Sequence, residues 1–304
     1  MNKKFSWKRF GRVSKSIAAS LIALQAFSFA GIAGNTAAAA EPNVVSTWMW
    51  NPYLIQNKDA TLTQLKEHEV NRVYLFIDPD FPATYYKSFI KEAKTRGIDV
   101  FALSGAPNWV LPEHNKKMYQ FIYWVKQYNS SASPEEQFSG IHLDVEPYVL
   151  PQWSENSDAV IGLWMDTVSG FVEEVKADTD LTVGMDMPVW LNYTDVRDGY
   201  GGRTTLSNWF IGRVDQVTLM AYVDNAKGIT ESVQQEMAEA DRAGVPVLVA
   251  VETVNNNEHG TSFYDKGSAV MKTELNSVIE TLRVHPSFRG YSVHEWDRWI
   301  ELKP

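Results

Sequence analysis

The stretch QVTLMAYVDNAKGITESVQQEMAEADRAGVPVLVAVE, residues 216–252, decides the fold. Its two ends, residues 216–222 and 245–252, are short apolar runs typical of buried strands. Between them, residues 229–243 have a helical pattern, with Thr230 and Glu231 as capping residues near the start and Gly244 at the end. The stretch therefore predicts a strand–helix–strand unit.

The same alternation extends in both directions along the chain. Eight strand candidates are found, at residues 44–50, 70–78, 99–104, 140–146, 181–186, 216–222, 245–252 and 290–296. Helical patterns cover residues 83–96, 116–128, 158–177, 229–243 and 268–284. Eight strands alternating with helices predict an α/β fold, a (β/α)₈ TIM barrel forming one domain over residues 41–304. Because only eight residues follow Trp296, the closing helix is weak, and an open doubly wound sheet is the alternative.

The first 40 residues differ from the rest of the chain. Six cations lie within residues 1–15, an apolar stretch covers residues 17–32, and small residues at 38–40 offer an Ala-x-Ala cleavage site. This order predicts a secretory signal peptide over residues 1–40, with an uncleaved membrane anchor as the alternative. We therefore expect a bacterial secreted or cell-surface protein, without stable membrane insertion after cleavage.

Charge and composition exclude several classes of protein. Of the 304 residues, 44% are hydrophobic and 21% are charged, which is ordinary for a globular protein. The chain has no cysteine, so disulfides, thiolate metal sites and cysteine nucleophiles are excluded. Residues 41–304 hold 37 acids and 22 of the 28 cations, a formal charge of −15 that argues against nucleic acid as a partner. We expect a monomer.

Barrel active sites form at the carboxyl ends of the strands, so the last inward-facing residues of each strand are the site candidates. Because side chains alternate along a strand with a period of two, inward-facing acids and aromatics from several strands should line one pit. The candidates are Trp48, Asp78, Asp144, Glu146, Asp186, Tyr222, Glu252 and Trp296. Structural roles remain open for some: Asp78 for a turn or cap, Asp186 for a buried hydrogen bond, and Trp48 for packing. Two carboxylates on one inward-facing strand are costly to bury without a function.

A pair of close carboxyl groups is suited to glycosidic bond cleavage, which needs an acid for the leaving oxygen and an anion or nucleophile at C1. The segment SGIHLDVEP (139–147) resembles the fourth-strand signature D-G-x-D-x-D-x-E of the chitinase-like glycoside hydrolases of family 18, with Ser139 and His142 replacing its first two aspartates. VTLMAY (217–222) resembles the sixth-strand motif M-x-Y of this family, and YSVHEW (291–296) resembles its closing strand.

This resemblance implies a retaining, substrate-assisted hydrolysis of an extracellular or cell-wall polysaccharide without a cofactor. Glu146 would be the general acid, Asp144 would orient the N-acetyl group that attacks C1, and Tyr222 would hydrogen-bond that group. Trp296 would be the sugar platform. Trp48, Asp78, Asp186 and Glu252 would complete the substrate-binding set, with no metal ligand among them.

Three other interpretations use the same residues. Glu146 and Glu252 also resemble the acid/base and nucleophile of the large clan of retaining barrels, which differ in having Asn where this chain has Val145. A non-catalytic carbohydrate-binding barrel would fit the altered signature. A metal-dependent hydrolase would use Asp78, Asp144, Glu146, His142 and His294, although no His-x-His or His-Glu-x-x-His spacing supports it.

Overall fold

The computed structural model describes residues 43–304, in which eight parallel strands close into a barrel. The barrel strands are β1 (Val44–Met49), β2 (Arg72–Phe76), β3 (Asp99–Ser104), β4 (Gly140–Leu143), β5 (Thr182–Pro188), β8 (Gln216–Met220), β9 (Val247–Glu252) and β10 (Phe288–His294). Around the barrel the order of neighbouring strands is β1-β10-β9-β8-β5-β4-β3-β2. Because β1 pairs directly with β10, the sheet has no open edge, which confirms the predicted TIM barrel and excludes the open doubly wound sheet. The predicted signal peptide, residues 1–40, lies outside the described residues.

A separate antiparallel hairpin follows the fifth barrel strand. It consists of β6 (Asp195–Arg197) and β7 (Arg203–Thr205).

The helices are α1 (Lys58–Glu67), α2 (Ala83–Thr95), α3 (Lys116–Ser131), α4 (Pro151–Lys176), α5 (Leu206–Ile211), α6 (Ala226–Ser232), α7 (Gln234–Ala243), α8 (Ser268–Leu282) and α9 (Trp296–Trp299). Within residues 43–304, no helix has both the length and the apolar composition that crossing a membrane requires.

Two helix starts differ from the sequence prediction. The helix predicted from residue 158 begins at Pro151, with non-helical backbone at Asn156, whose side chain accepts a hydrogen bond from the Ala159 amide at 3.1 Å. The helix predicted at residues 229–243 is two helices, α6 and α7. Its cap is Asn225, which accepts from the Gly228 amide at 2.9 Å, rather than Thr230. Gly244 ends α7 in the left-handed conformation, as predicted.

Side chains inside the barrel form their own core. Six buried apolar residues pack there, namely Trp48, Tyr74, Phe101, Leu103, Leu248 and Ala250. The outward-facing residues of the strands pack instead against the helices in a larger core. Polar groups hydrogen-bond beneath the inner core: Gln216 donates to the Tyr74 hydroxyl at 2.9 Å, and the Ser46 and Ser292 hydroxyls pair at 2.5 Å. The interior of the barrel is therefore filled by side chains, and a site is expected at the carboxyl ends of the strands.

Within residues 43–304, the helical layer is incomplete beside β1 and β10. The last helix, α9, has four residues, where a full barrel would place its eighth covering helix. A groove of about 510 Å³ remains between α1 and α8, with Val45 and Tyr291 of the two strands among its lining residues.

A buried carboxyl group lies in the outer layer, on α7. Glu236 is completely buried, and neither of its carboxylate oxygens accepts a hydrogen bond from any residue in the described range 43–304. Burial raises the pKa of Glu236 to about 7, with the nearby Glu239 carboxyl adding to it. Because the folded-state pKa is above that of the unfolded chain, folding retains a proton between about pH 4.5 and 7.

We expect Glu236→Gln to raise the free energy of unfolding by about 1–3 kcal/mol at pH 7.5 and to have a smaller effect at pH 5. The wild-type contribution is favourable at low pH and is lost as the pH rises through 7, whereas glutamine does not titrate. Urea unfolding of both proteins at the two pH values measures this difference. An equal difference at both pH values would contradict it.

Candidate active site

The two acids of the fourth strand extend into the mouth of the barrel. β4 ends at Leu143, but the Asp144 amide still donates to the Ser104 carbonyl at 3.2 Å and so continues the sheet. Gly105 makes this possible, because a Cβ at that position would lie 1.6 Å from the Asp144 carbonyl oxygen. Glu146 follows immediately before a short 3₁₀ helix, Pro147–Val149. Both carboxyl groups are thereby fixed at the end of the strand.

Burial, together with neighbouring acids, controls the ionisation of both groups. Burial raises the pKa of Asp144 well above its usual value, and the carboxyl groups of Asp186 and Glu146 raise it further. Burial also raises the pKa of Glu146. A hydrogen bond from Tyr148 opposes this rise, Asp186 and Glu252 add to it, and His294 counteracts it. A carboxyl group whose pKa is raised can keep its proton at a higher pH and serve as a general acid.

Asp186 forms the floor of the pit. It is 2% exposed, and its Oδ2 accepts a hydrogen bond from the Trp48 indole at 2.9 Å. The other oxygen lies 2.9 Å from Nε2 of His142, although the two atoms are not aligned for a hydrogen bond. The His142 ring stacks on Tyr74 with 3.9 Å between ring centroids, and Gly184 leaves room for it, since a Cβ there would lie 2.6 Å from Nδ1.

The opposite side of the pit holds a second acid with a histidine. Glu252 accepts hydrogen bonds from the Thr253 and Val254 amides, both at 2.7 Å, and its Oε2 lies 3.0 Å from Nδ1 of His294. Burial lowers the pKa of His294, but the hydrogen bond to Glu252 and the negative charges of Glu252, Asp186 and Glu295 together outweigh it, so that the pKa is raised overall. The Tyr222 ring lies beside His294, 6.0 Å away between centroids.

Tyr222 also interacts with the acids of both sides. Burial raises its pKa well above the usual value, and the charges of Glu252, Asp186, Asp144 and Glu146 add to this effect. The structure therefore brings Asp144, Glu146, Asp186, Tyr222 and Glu252 together at one end of the barrel, as the period of two predicts.

Two partly exposed aromatics complete the inner wall. Trp50 and Phe76 continue the inner core toward the opening, with 5.7 Å between their ring centroids. Trp48 lies deeper and is only 1% exposed, so it supports Asp186 instead of presenting a face to a substrate. Trp50 follows Trp48 by two residues and so shares its inward face, but it is not among the site residues predicted from the sequence.

Trp296 is not part of the pit, contrary to the sequence prediction. Its side chain is 1% exposed in the outer core, and its ring lies 5.3 Å from that of His68, near the end of α1. The physical reason is that β10 ends at His294 and α9 begins at Trp296, so the strand alternation stops before this residue.

Asp78 lies beyond the end of its strand in a turn. Its Oδ1 accepts from the Asp80 amide at 2.9 Å and its Oδ2 from the Tyr53 hydroxyl at 2.7 Å. The turn alternative described above fits this position, and Asp78 is not among the charges that act on Asp144 or Glu146. Among residues 43–304, no three or more His, Asp or Glu side chains are grouped so that they could hold a metal ion.

Several glycosidases are among the solved structures that superpose on this barrel. A family 18 chitinase from Pseudoalteromonas aurantia superposes with a TM-score of 0.55 at 14% identity, covering 85% of this chain and 97% of that one. A mutant family 18 chitinase from Cycas revoluta, in complex with (GlcNAc)₄, gives a TM-score of 0.51 at 10% identity, with coverages of 85% and 96%. The chain has the barrel fold of these chitinases.

The barrel is also similar in fold to an enzyme of a different name. An exo-β-1,4-mannosidase from Opitutaceae bacterium strain TAV5 gives a TM-score of 0.52 at 14% identity, covering 85% of this chain and 54% of that one. No family model matches the sequence, and no curated protein matches it. The likeness therefore lies in the fold.

Proposed function

We propose that this protein is a retaining glycoside hydrolase of an extracellular or cell-wall polysaccharide, with Glu146 as the general acid. The observation that carries the proposal is the pair Asp144 and Glu146, held at the open end of the barrel with raised pKa values. Glycosidic cleavage requires one protonated and one charge-stabilising carboxyl group. The glycosidase-type barrel supports this assignment.

The hydrogen bonding of the two possible partners favours the substrate-assisted mechanism. Oδ1 of Asp144 is buried and accepts no hydrogen bond from the described residues, so it can accept one from a substrate N–H. Glu252 is already held by two backbone amides and His294. Asp144 would thus orient an N-acetyl group, Tyr222 would hydrogen-bond it, and Glu252 would fix His294 in the pit.

The test is a hydrolysis panel with the purified protein, obtained by expressing the full chain. It includes chitin, peptidoglycan glycan, other N-acetylated and deacetylated hexosamine polymers, and neutral glucans. We expect cleavage of an N-acetylated polymer with retention of configuration at the anomeric carbon, which NMR of the products detects. If only a neutral glucan were cleaved, the nucleophile would be assigned to Glu252, because such a substrate has no N-acetyl group. Binding without cleavage would make the protein a carbohydrate-binding barrel, an alternative favoured by His142 standing in place of an aspartate.

Trp50 takes the place of Trp296 as the proposed sugar platform. An aromatic face that remains partly exposed beside the acids can pack against the apolar face of a sugar ring. We expect Trp50→Ala to raise KM or the oligosaccharide Kd about tenfold, corresponding to about 1.4 kcal/mol. Trp50→Phe should retain most of the affinity, whereas an unchanged Kd in Trp50→Ala would disprove the assignment.

Export is the second part of the proposal. The order of basic, apolar and small residues in positions 1–40 supports cleavage after Ala40 and a secreted or cell-surface location. Amino-terminal sequencing of the protein recovered outside the cells should give Glu41 as the first residue.

A further inference from the structure

The environment of Glu146 includes a residue that neither the motif nor the strand period indicates. Tyr148 lies two positions after Glu146 in the 3₁₀ helix Pro147–Val149, and its hydroxyl donates a hydrogen bond to Oε2 of Glu146. The side chain thus turns back toward the carboxyl group that precedes it.

Three tryptophans hold the Tyr148 ring in place. Trp190, in the loop after β5, contacts it edge-on with 5.2 Å between centroids. Trp153 and Trp164, both from α4, lie 6.2 Å and 6.1 Å away, and Trp164 is fully buried. Trp153 and Trp190 also contact each other at 5.9 Å. The phenol hydroxyl therefore has a fixed position, set by two separate elements of the barrel.

We infer that Tyr148 is a positioning residue for the general acid: its hydroxyl fixes the Glu146 carboxyl group and reserves Oε1 for the proton that is delivered to the substrate. The inference rests on the proposed function. A phenol that donates to Oε2 occupies that oxygen in both ionisation states, so the acid proton resides on Oε1. During cleavage this proton passes from Oε1 to the leaving glycosidic oxygen, and the carboxylate that remains keeps its hydrogen bond from Tyr148.

The same hydrogen bond balances the acidic surroundings of Glu146. Asp144 on the same segment, Asp186 from β5, Glu252 from β9 and the Tyr222 hydroxyl after β8 all face the pit, and His294 from β10 supplies the opposing charge. In the wild type, donation from Tyr148 lowers the pKa of Glu146 against the effects of burial and the acids. Removing the hydroxyl removes a contribution that lowers the pKa of Glu146, while burial and the acids still raise it, so this pKa increases.

The experiment compares Tyr148→Phe with Tyr128→Phe. The control also deletes one hydroxyl that donates a hydrogen bond, from Tyr128 in α3 to the Glu136 carbonyl at 2.9 Å, away from the pit. Titration of ¹³C-labelled glutamate by NMR, with Glu146→Gln to assign the signal, measures the pKa of Glu146 directly. The pH dependence of kcat/KM on the polymer cut in the panel measures its effect on catalysis.

In Tyr148→Phe we expect the pKa of Glu146 to rise and the basic limb of the kcat/KM profile to move to higher pH by the same amount. We also expect kcat at the optimum pH to fall about tenfold. Tyr128→Phe should match the wild type in all three. Trp190→Phe keeps the hydroxyl but loosens its surroundings, and should give smaller displacements in the same direction.

A Glu146 titration unchanged in both Tyr148→Phe and Trp190→Phe would overturn the inference. If the panel shows no cleavage at all, the proposed function fails, but the NMR titration needs no substrate. It still decides whether Tyr148 controls the ionisation of Glu146.

Discussion

Replacing Glu146 with glutamine is expected to lower kcat/KM by about 10²–10⁴-fold, the usual contribution of a general acid. The amide has nearly the same shape as the carboxyl group and can accept the Tyr148 hydrogen bond, but it has no acidic proton for the leaving oxygen. Since burial and neighbouring acids raise the pKa of Glu146, neutralising it should not destabilise the barrel. Kinetics on the polymer identified in the panel, together with circular dichroism and urea unfolding, measure both effects.

The matched control is Glu236→Gln. It makes the same substitution at a buried carboxyl group, but on α7 in the outer layer. Its activity should equal that of the wild type even though its stability changes. If Glu146→Gln retained full activity, Glu146 would not be the acid. If the wild type bound a polymer without cutting it and Glu146→Gln bound it equally well, the carbohydrate-binding alternative would be preferred.

The second large effect is expected at Gly105, where alanine should destabilise the protein by at least about 3 kcal/mol and reduce activity strongly. Its Cβ would overlap the Asp144 carbonyl oxygen, a backbone atom that can move only if the end of β4 moves. Displacement of that segment would shift Asp144 and Glu146 together. Urea unfolding and single-substrate kinetics test the two consequences.

Gly162→Ala provides the comparison for the glycine substitution. Gly162 lies within α4, and a Cβ at that position would have no atom within 4 Å. The substitution should be neutral or stabilising by up to about 1 kcal/mol, because alanine favours helix more than glycine does. Wild-type stability in Gly105→Ala would mean that the close approach between Gly105 and Asp144 does not exist.

Much of the fold follows from two sequence periods. All eight predicted strands occur, because each combines an apolar run with a neighbouring helix pattern of a different period. The alternation within strands correctly turned Asp186 and Glu252 toward the barrel interior, and Tyr222, two residues beyond β8, also packs against the inner core beside His294. For Asp144, the rule held one residue beyond the strand, because the Ser104 carbonyl still pairs with its amide.

The same rule failed where the backbone left the sheet. Trp296 and Asp78 both follow their strands by two residues, and a helix start and a turn, respectively, redirect their side chains. Tyr148 was missed because it enters the site from a 3₁₀ helix, where side chains do not alternate with a period of two. Trp48 was assigned to the correct face, but depth along the barrel axis, which alternation does not encode, makes it a support for Asp186.

The direct pairing of β1 with β10 has a consequence for the time course of folding. Val44 is in register with Gly290, and the side chains of Ser46 and Ser292, 246 positions apart, hydrogen-bond across the seam. During synthesis β1 emerges long before its second neighbour, so the barrel can close only after β10 has been made. Closing so long a loop is entropically unfavourable, and such pairings slow folding. The nascent chain therefore carries an unpaired β1 edge until β10 has been synthesised, which is a period in which chaperone binding would protect it from aggregation.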